Sequence, residues 1–143
     1  MSEVSQERPD YIARARSLGP VLADAAEEIE RNRELPAPII SALIDNGLFR
    51  LLQPHSLGGA ELDPMTYIQV VEEIASHDAS TGWCVEQANG CSMVAAFLEP
   101  EVAQEIFGPP DGIVAWGPVG LCRSARDYCA AARAAVIARC SAS

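Results

Sequence analysis

The placement of proline and glycine constrains this chain more than any other feature. Pro36 and Pro38, Pro64 and Pro100 each stand at the head of a segment with helical apolar spacing, and Gly47 and Gly108 each stand at the end of one. Proline has no N–H and a fixed φ, so it is costly inside a helix but suited to the first turn; glycine closes a helix by taking a positive φ. This punctuation predicts a succession of short helices joined by tight turns, and so an all-α domain over residues 10–112.

The apolar spacing fills in the helices. Leu18, Val21, Leu22, Ala25 and Ile29 recur on one face, with Glu27, Glu28, Glu30 and Arg31 left for water. Gly19-Pro20 inside that pattern predicts a restart or kink, and the helix is expected to end near Arg33. The second helix places Ile39, Ile40, Leu43 and Ile44 on its apolar side and stops at Asn46-Gly47. Pro54 to Leu62, with adjacent Gly58 and Gly59, reads as an irregular, tightly turned loop. Asp63 then caps a third helix whose stripe is Tyr67, Ile68, Val71, Ile74 and Ala75.

Thr81 to Phe97 carries a single charge, Glu86, over seventeen residues. It is too short and too polar for a membrane span, so it reads as a central helix buried nearly all round, with Asn89-Gly90 as its candidate break. A fifth helix follows from Glu99-Pro100 to Phe107, and Ile113 to Trp116 reads as a short strand. Residues 1–9 form an N-terminal extension. They include acidic residues and no apolar h-region, which implies no secretory signal and a cytoplasmic protein.

Charge narrows the partners. Twenty acidic residues against ten arginines and no lysine give −10, which repels a phosphate backbone and disfavours nucleic acid. No stretch is apolar enough to cross a bilayer. Five cysteines, at 84, 91, 122, 129 and 140, lack CxxC spacing and have only His55 and His77 as imidazole partners, so reduced structural thiols are expected and no metal site. His55 and His77 both flank turns, where exposed or capping roles prevail.

In order and spacing, Leu35-Pro36, Leu43-Ile44-Asp45-Asn46-Gly47-Leu48-Phe49, Pro54 and Gly58-Gly59 resemble the N-terminal domain of the acyl-CoA dehydrogenase family. Glu72-Glu73-Ile74-Ala75 and Asp78-Ala79-Ser80-Thr81-Gly82-Trp83 are similar to that family's helix pair around the substrate. The Ala-Ser-Thr-Gly-Trp run looks most like its flavin-dependent monooxygenase branch. The motifs are informative together rather than singly, and they cover about residues 15–118.

The resemblance implies an orthogonal multi-helix domain, followed in the family by a β-domain that supplies most flavin contacts and a C-terminal bundle that completes the flavin site and a tetramer. It implies FAD or FMN as cofactor and a small-molecule substrate, either acyl-CoA or aromatic. It places Trp83, Cys84 and Gln87 on the helix lining the substrate pocket, and Trp116 and Pro118 beside the isoalloxazine, although the usual threonine-glutamate-proline stretch is absent. Trp83 also has a plain reading as a core tryptophan, since large aromatics fill cores. No catalytic residue is assigned, because the family's catalytic glutamate lies in the C-terminal bundle. Glu86 is the one carboxylate in an apolar helix, where burial is costly unless it serves a pocket or domain contact.

Residues 113–120 are where the β-domain would begin, and residues 121–143 depart from the family pattern. This last segment holds eight alanines, four arginines and one acid, and alanine favours helix. The abrupt change in composition and charge leads to the expectation of a shifted reading frame that replaced the β-domain. β-Domain sequence in the next frame of the locus would support that expectation, and noncoding sequence would refute it. Two function classes stay open: part of a flavin-dependent oxidoreductase that is inactive alone, with a surface prone to self-association, or a free-standing helical interaction module without flavin.

Overall fold

A computed structural model of the chain describes residues 9–114. The order is α1 (Tyr11–Asn32), α2 (Ala37–Asp45), a 3₁₀ turn (His55–Leu57), α3 (Pro64–Ala75), α4 (Ala79–Ser92), a second 3₁₀ turn (Met93–Phe97) and α5 (Pro100–Phe107). The described domain is all-helical, as the proline pattern predicts.

Capping follows the residue chemistry. The side chains of Asp10, Asp63 and Asp78 accept hydrogen bonds from the backbone N–H groups of Ala13, of Met65 and Thr66, and of Thr81, satisfying donors that the first turns of α1, α3 and α4 leave open. Gly47 takes φ +71 just past α2, the backbone conformation that Asn46-Gly47 implies.

Three expectations are corrected. α1 runs unbroken through Pro20, with no restart. An interior proline costs about 3 kcal/mol, and tertiary packing on both sides offsets it, since Ala15 and Gly19 before it and Leu22 and Ile29 after it are buried. Val21 and Ile68, each assigned to an apolar stripe, are 49% exposed, while Val70 of α3 is fully buried in place of Ile68. Asn89-Gly90 does not break α4, because Asn89 is buried and bonded at both ends of its amide.

α1 and α3 lie side by side and run parallel. Arg16 donates to both carboxylate oxygens of Glu73 at 3.2 and 2.8 Å, and one turn on the ring of His77 covers Gly19, leaving no room for a Cβ there. α3 and α4 form an antiparallel hairpin with its closest approach at Gly82, where a Cβ would meet the Cβ of Ala75 at 2.7 Å. Leu22, Ile39, Leu43, Leu48, Leu51, Val70, Ile74 and Val85 make the core between these helices.

The segment after α2 is held by side chains. Asn89 Oδ1 accepts from the N–H of Leu51 and Leu52 at 2.7 and 3.3 Å, and Nδ2 donates to the carbonyls of Leu48 and Val85, both at 2.8 Å. The following loop folds back over the same segment, with Ala60 and Leu62 donating to the carbonyls of Arg50 and Leu51, both at 2.8 Å. Gly59 is required there, since a Cβ would fall 1.9 Å from the Gln53 oxygen. Gln53 Nε2 and Arg50 each donate to the Phe107 carbonyl, which fastens the end of α5.

Of the strand expected at 113–116, only Ile113 and Val114 are described. They carry no regular secondary structure, and among the described residues there is no second strand to pair with them. Trp116, Pro118 and the segment 121–143 lie outside the described residues.

Candidate functional site

The outward side of α4 and the 3₁₀ turn after it is the unusual surface of this domain. Trp83 is 66% exposed, Met93 52% and Phe97 87%, with Val94 beside them. The reading of Trp83 as a core residue, and of its segment as buried all round, is therefore corrected. α4 buries Thr81, Gly82, Val85, Ala88, Asn89, Cys91 and Ser92, and on its other side leaves Trp83 exposed and Cys84, Glu86, Gln87 and Gly90 half-buried. The spacing Trp83, Gln87, Gly90, Val94, Phe97 follows one helical face, a signal that the near absence of charge hid.

At the N-terminal end of this face an open groove of about 410 Å³ separates α4 from the end of α1. Trp83, Cys84 and Ser80 form one side, and Ile29, Arg33 and Leu35 lie on the other. The chain can turn there because Arg33 takes a left-handed φ of 57 as the C-cap of α1. Of the three expected pocket residues, Trp83 and Cys84 meet in this groove, while Gln87 sits one turn further along α4.

The polar groups of the face form a small set. Gln87 Nε2 donates to Glu86 Oε2 at 2.7 Å, and the Tyr67 hydroxyl donates to the Glu86 backbone carbonyl at 3.4 Å. Burial, with the Glu86 charge adding to it, pushes the Tyr67 phenol up to about 12, so it remains a donor at neutral pH. Burial and then the nearby Asp78 carboxylate push the Cys84 thiol up, so Cys84 is a protonated lining residue rather than a thiolate nucleophile.

The histidines take structural places. His55 Nδ1 lies 2.8 Å from the Gly59 carbonyl within its loop. His77 does not cap a helix; its ring is packed on Gly19, with Nε2 3.6 Å from Glu73. Among the described residues no cluster of His, Cys, Asp and Glu could hold a metal, and no helix is long and apolar enough to cross a membrane.

A flavin dinucleotide would need donors for its phosphates, most readily at a helix N-terminus. Aspartate side chains already occupy those positions on α1, α3 and α4. Pro38 removes a donor from the first turn of α2, and Glu101 places a carboxylate in the first turn of α5. Arg16 and Arg50 are committed to Glu73 and to backbone carbonyls. The capped N-termini of α1, α3 and α4 and these two arginines are thus already occupied.

The family profile described as acyl-CoA dehydrogenase, N-terminal domain, matches residues 15–109. The chain is 34% identical over 92 residues to the oxygenase subunit HsaA of a flavin-dependent monooxygenase from Rhodococcus jostii, covering 64% of this chain and 24% of that protein. It is 33% identical over 91 residues to indole-3-acetate monooxygenase of Pseudomonas putida, covering 63% and 23%. The solved structure of XiaF from a Streptomyces species, in complex with FADH2 and glycerol, superposes with a TM-score of 0.70 at 31% identity, over 75% of this chain and 27% of that one. The chain therefore spans about a quarter of the length of these relatives. It belongs to the acyl-CoA dehydrogenase family, of which residues 15–109 are the N-terminal helical domain, in the form found in flavin-dependent monooxygenases.

Proposed function

We propose that this domain forms one wall of the substrate pocket of a flavin-dependent aromatic monooxygenase, with Trp83, Cys84 and Gln87 facing the substrate. The observation that carries the reading is the exposure of Trp83 beside an open groove, on a helix whose opposite side is fully packed. A tryptophan left two-thirds exposed, followed along the chain by exposed Met93, Val94 and Phe97, fits a surface completed by another component. An aromatic rather than acyl-CoA substrate is supported by the relatives, which include a monooxygenase named for indole-3-acetate and a hydroxylase named for resorcinol.

The flavin, FAD or FMN, is held mainly by parts other than the described residues, whose α1, α3 and α4 N-termini are already capped by aspartates; Trp116 and Pro118 remain candidates for contact with the ring. The chain alone is inactive and does not retain flavin. The same uncovered face favours self-association.

The test is a chimera in which residues 15–109 replace the matching region of a full-length monooxygenase relative. We expect a yellow, hydroxylating enzyme whose KM for its aromatic substrate rises several-fold on Trp83→Ala while its flavin content is unchanged. A flavin-loaded chimera indifferent to Trp83→Ala would contradict the pocket role. Separately, the purified chain incubated with FAD and desalted should be colourless, and retained yellow colour would contradict the assignment of flavin binding to other parts.

A further inference from the structure

Gly90 lies in the last turn of α4, within the helix, where glycine is the poorest helix former after proline. Its neighbours do not require it. A Cβ placed there would meet a single atom within 4 Å, Glu86 Oε1 at 3.9 Å, and the backbone is ordinary helix. This contrasts with Gly82 of the same helix, which Ala75 leaves no room to replace. The space over Gly90 is therefore open, and a half-buried carboxylate borders it. Glu86 Oε2 accepts from Gln87, whereas Oε1, the oxygen nearest the gap, takes no hydrogen bond among the described residues. Trp83 stands on one side of this position along the face, and Val94 and Phe97 on the other.

We infer that Gly90 is a clearance position for a flat ligand ring and that Glu86 Oε1 receives an O–H or N–H donor from that ring, so the face selects donor-bearing aromatics such as phenols and indoles. The inference rests on the pocket reading above and adds a selection rule to it. Gln87 holds the carboxylate in place by occupying its other oxygen, and a charge-assisted hydrogen bond in a partly desolvated site is strong enough to discriminate. An aromatic without a donor would leave Oε1 desolvated and unpaired, which is the more costly outcome. The donor remains protonated in this role and no bond to it is broken.

The test is an NMR titration of the full 143-residue chain with phenol and with toluene, following the Gly90 amide, the Gln87 side-chain amide and the Trp83 indole N–H. Phenol should shift all three signals together and bind about tenfold tighter than toluene, although toluene is the more apolar molecule. Glu86→Ala should bring phenol down to the toluene level. Gly90→Ala, with its thermal midpoint unchanged or raised, should weaken both at least several-fold. Equal binding of phenol and toluene at these signals, or phenol binding untouched by Gly90→Ala, would overturn the selection rule and leave the wall intact. Absence of any shift at Trp83 with either ligand would overturn the wall as well.

Discussion

The side-chain amide of Asn89 is bonded to the backbone of Leu51, with Oδ1 accepting the Leu51 N–H at 2.7 Å in the interior of the domain. Both residues are fully buried, and the same amide donates to the Leu48 carbonyl. Asn89→Ala would strand a buried donor at Leu51 and a buried acceptor at Leu48, and each such group costs its desolvation. We expect a loss of about 3 kcal/mol in denaturant unfolding, with the slope unchanged. A loss below about 1 kcal/mol, the scale of an ordinary surface substitution, would show that water satisfies these groups instead.

Gly82 and Gly90 lie eight positions apart on α4 and predict opposite outcomes. Gly82→Ala drives a methyl into Ala75 at 2.7 Å, so the α3–α4 hairpin must open, at a cost of about 1–3 kcal/mol. Gly90→Ala meets open space and should stabilise the chain by up to about 1 kcal/mol through helix propensity alone. Thermal unfolding of both variants checks the pair, and the same sign for both would contradict the packing described.

Asp78 caps α4 through the N–H of Thr81 at 2.6 Å and so sets where the helix carrying Trp83 begins. Asp78→Ala should cost about 1 kcal/mol and Asp78→Asn little. Amide exchange at residues 80–82 reads the fraying directly, and equal protection in both variants would exclude the cap.

Two carboxylates give the domain an acid-sensitive arm. The hydrogen bond from Arg16, helped by its charge, holds Glu73 below its ordinary value of 4.5, and hydrogen bonds from Thr66 and Met65 hold Asp63 below 3.8. Because both folded-state values are depressed, their contribution is complete above the ordinary carboxylate range and is lost as pH falls through the folded values. Stability measured from pH 7 downward should begin to fall below about 4.5 on this account. The double variant Glu73→Gln, Asp63→Asn should flatten that arm, and an unchanged acid slope would assign it to other groups.

Much of this fold is legible in the sequence, for reasons that particular residues make plain. Pro36, Pro64 and Pro100 head their helices, and Asn46-Gly47 closes one, because these residues act through their own backbones. What is not legible depends on tertiary partners. Pro20 continues a helix because α3 supports it, and Asn89 is accommodated within α4 because Leu48 and Leu51 need its amide. The pocket helix is recognisable from Asp78 to Trp83 through resemblance, but the outward direction of Trp83 is not. An uncharged run gives no sign of which face is packed until the buried set, Thr81, Val85, Ala88 and Asn89, is known.

Trp83 is two-thirds exposed in this chain, and the proposed pocket role requires that exposure. Trp116→Phe leaves Trp83 as the single tryptophan, since the chain has two. Acrylamide quenching of that variant should approach the efficiency seen for free indole, with red-shifted emission, and phenol should protect it. Blue-shifted emission with weak quenching in the dilute chain would place Trp83 in a core and contradict the account.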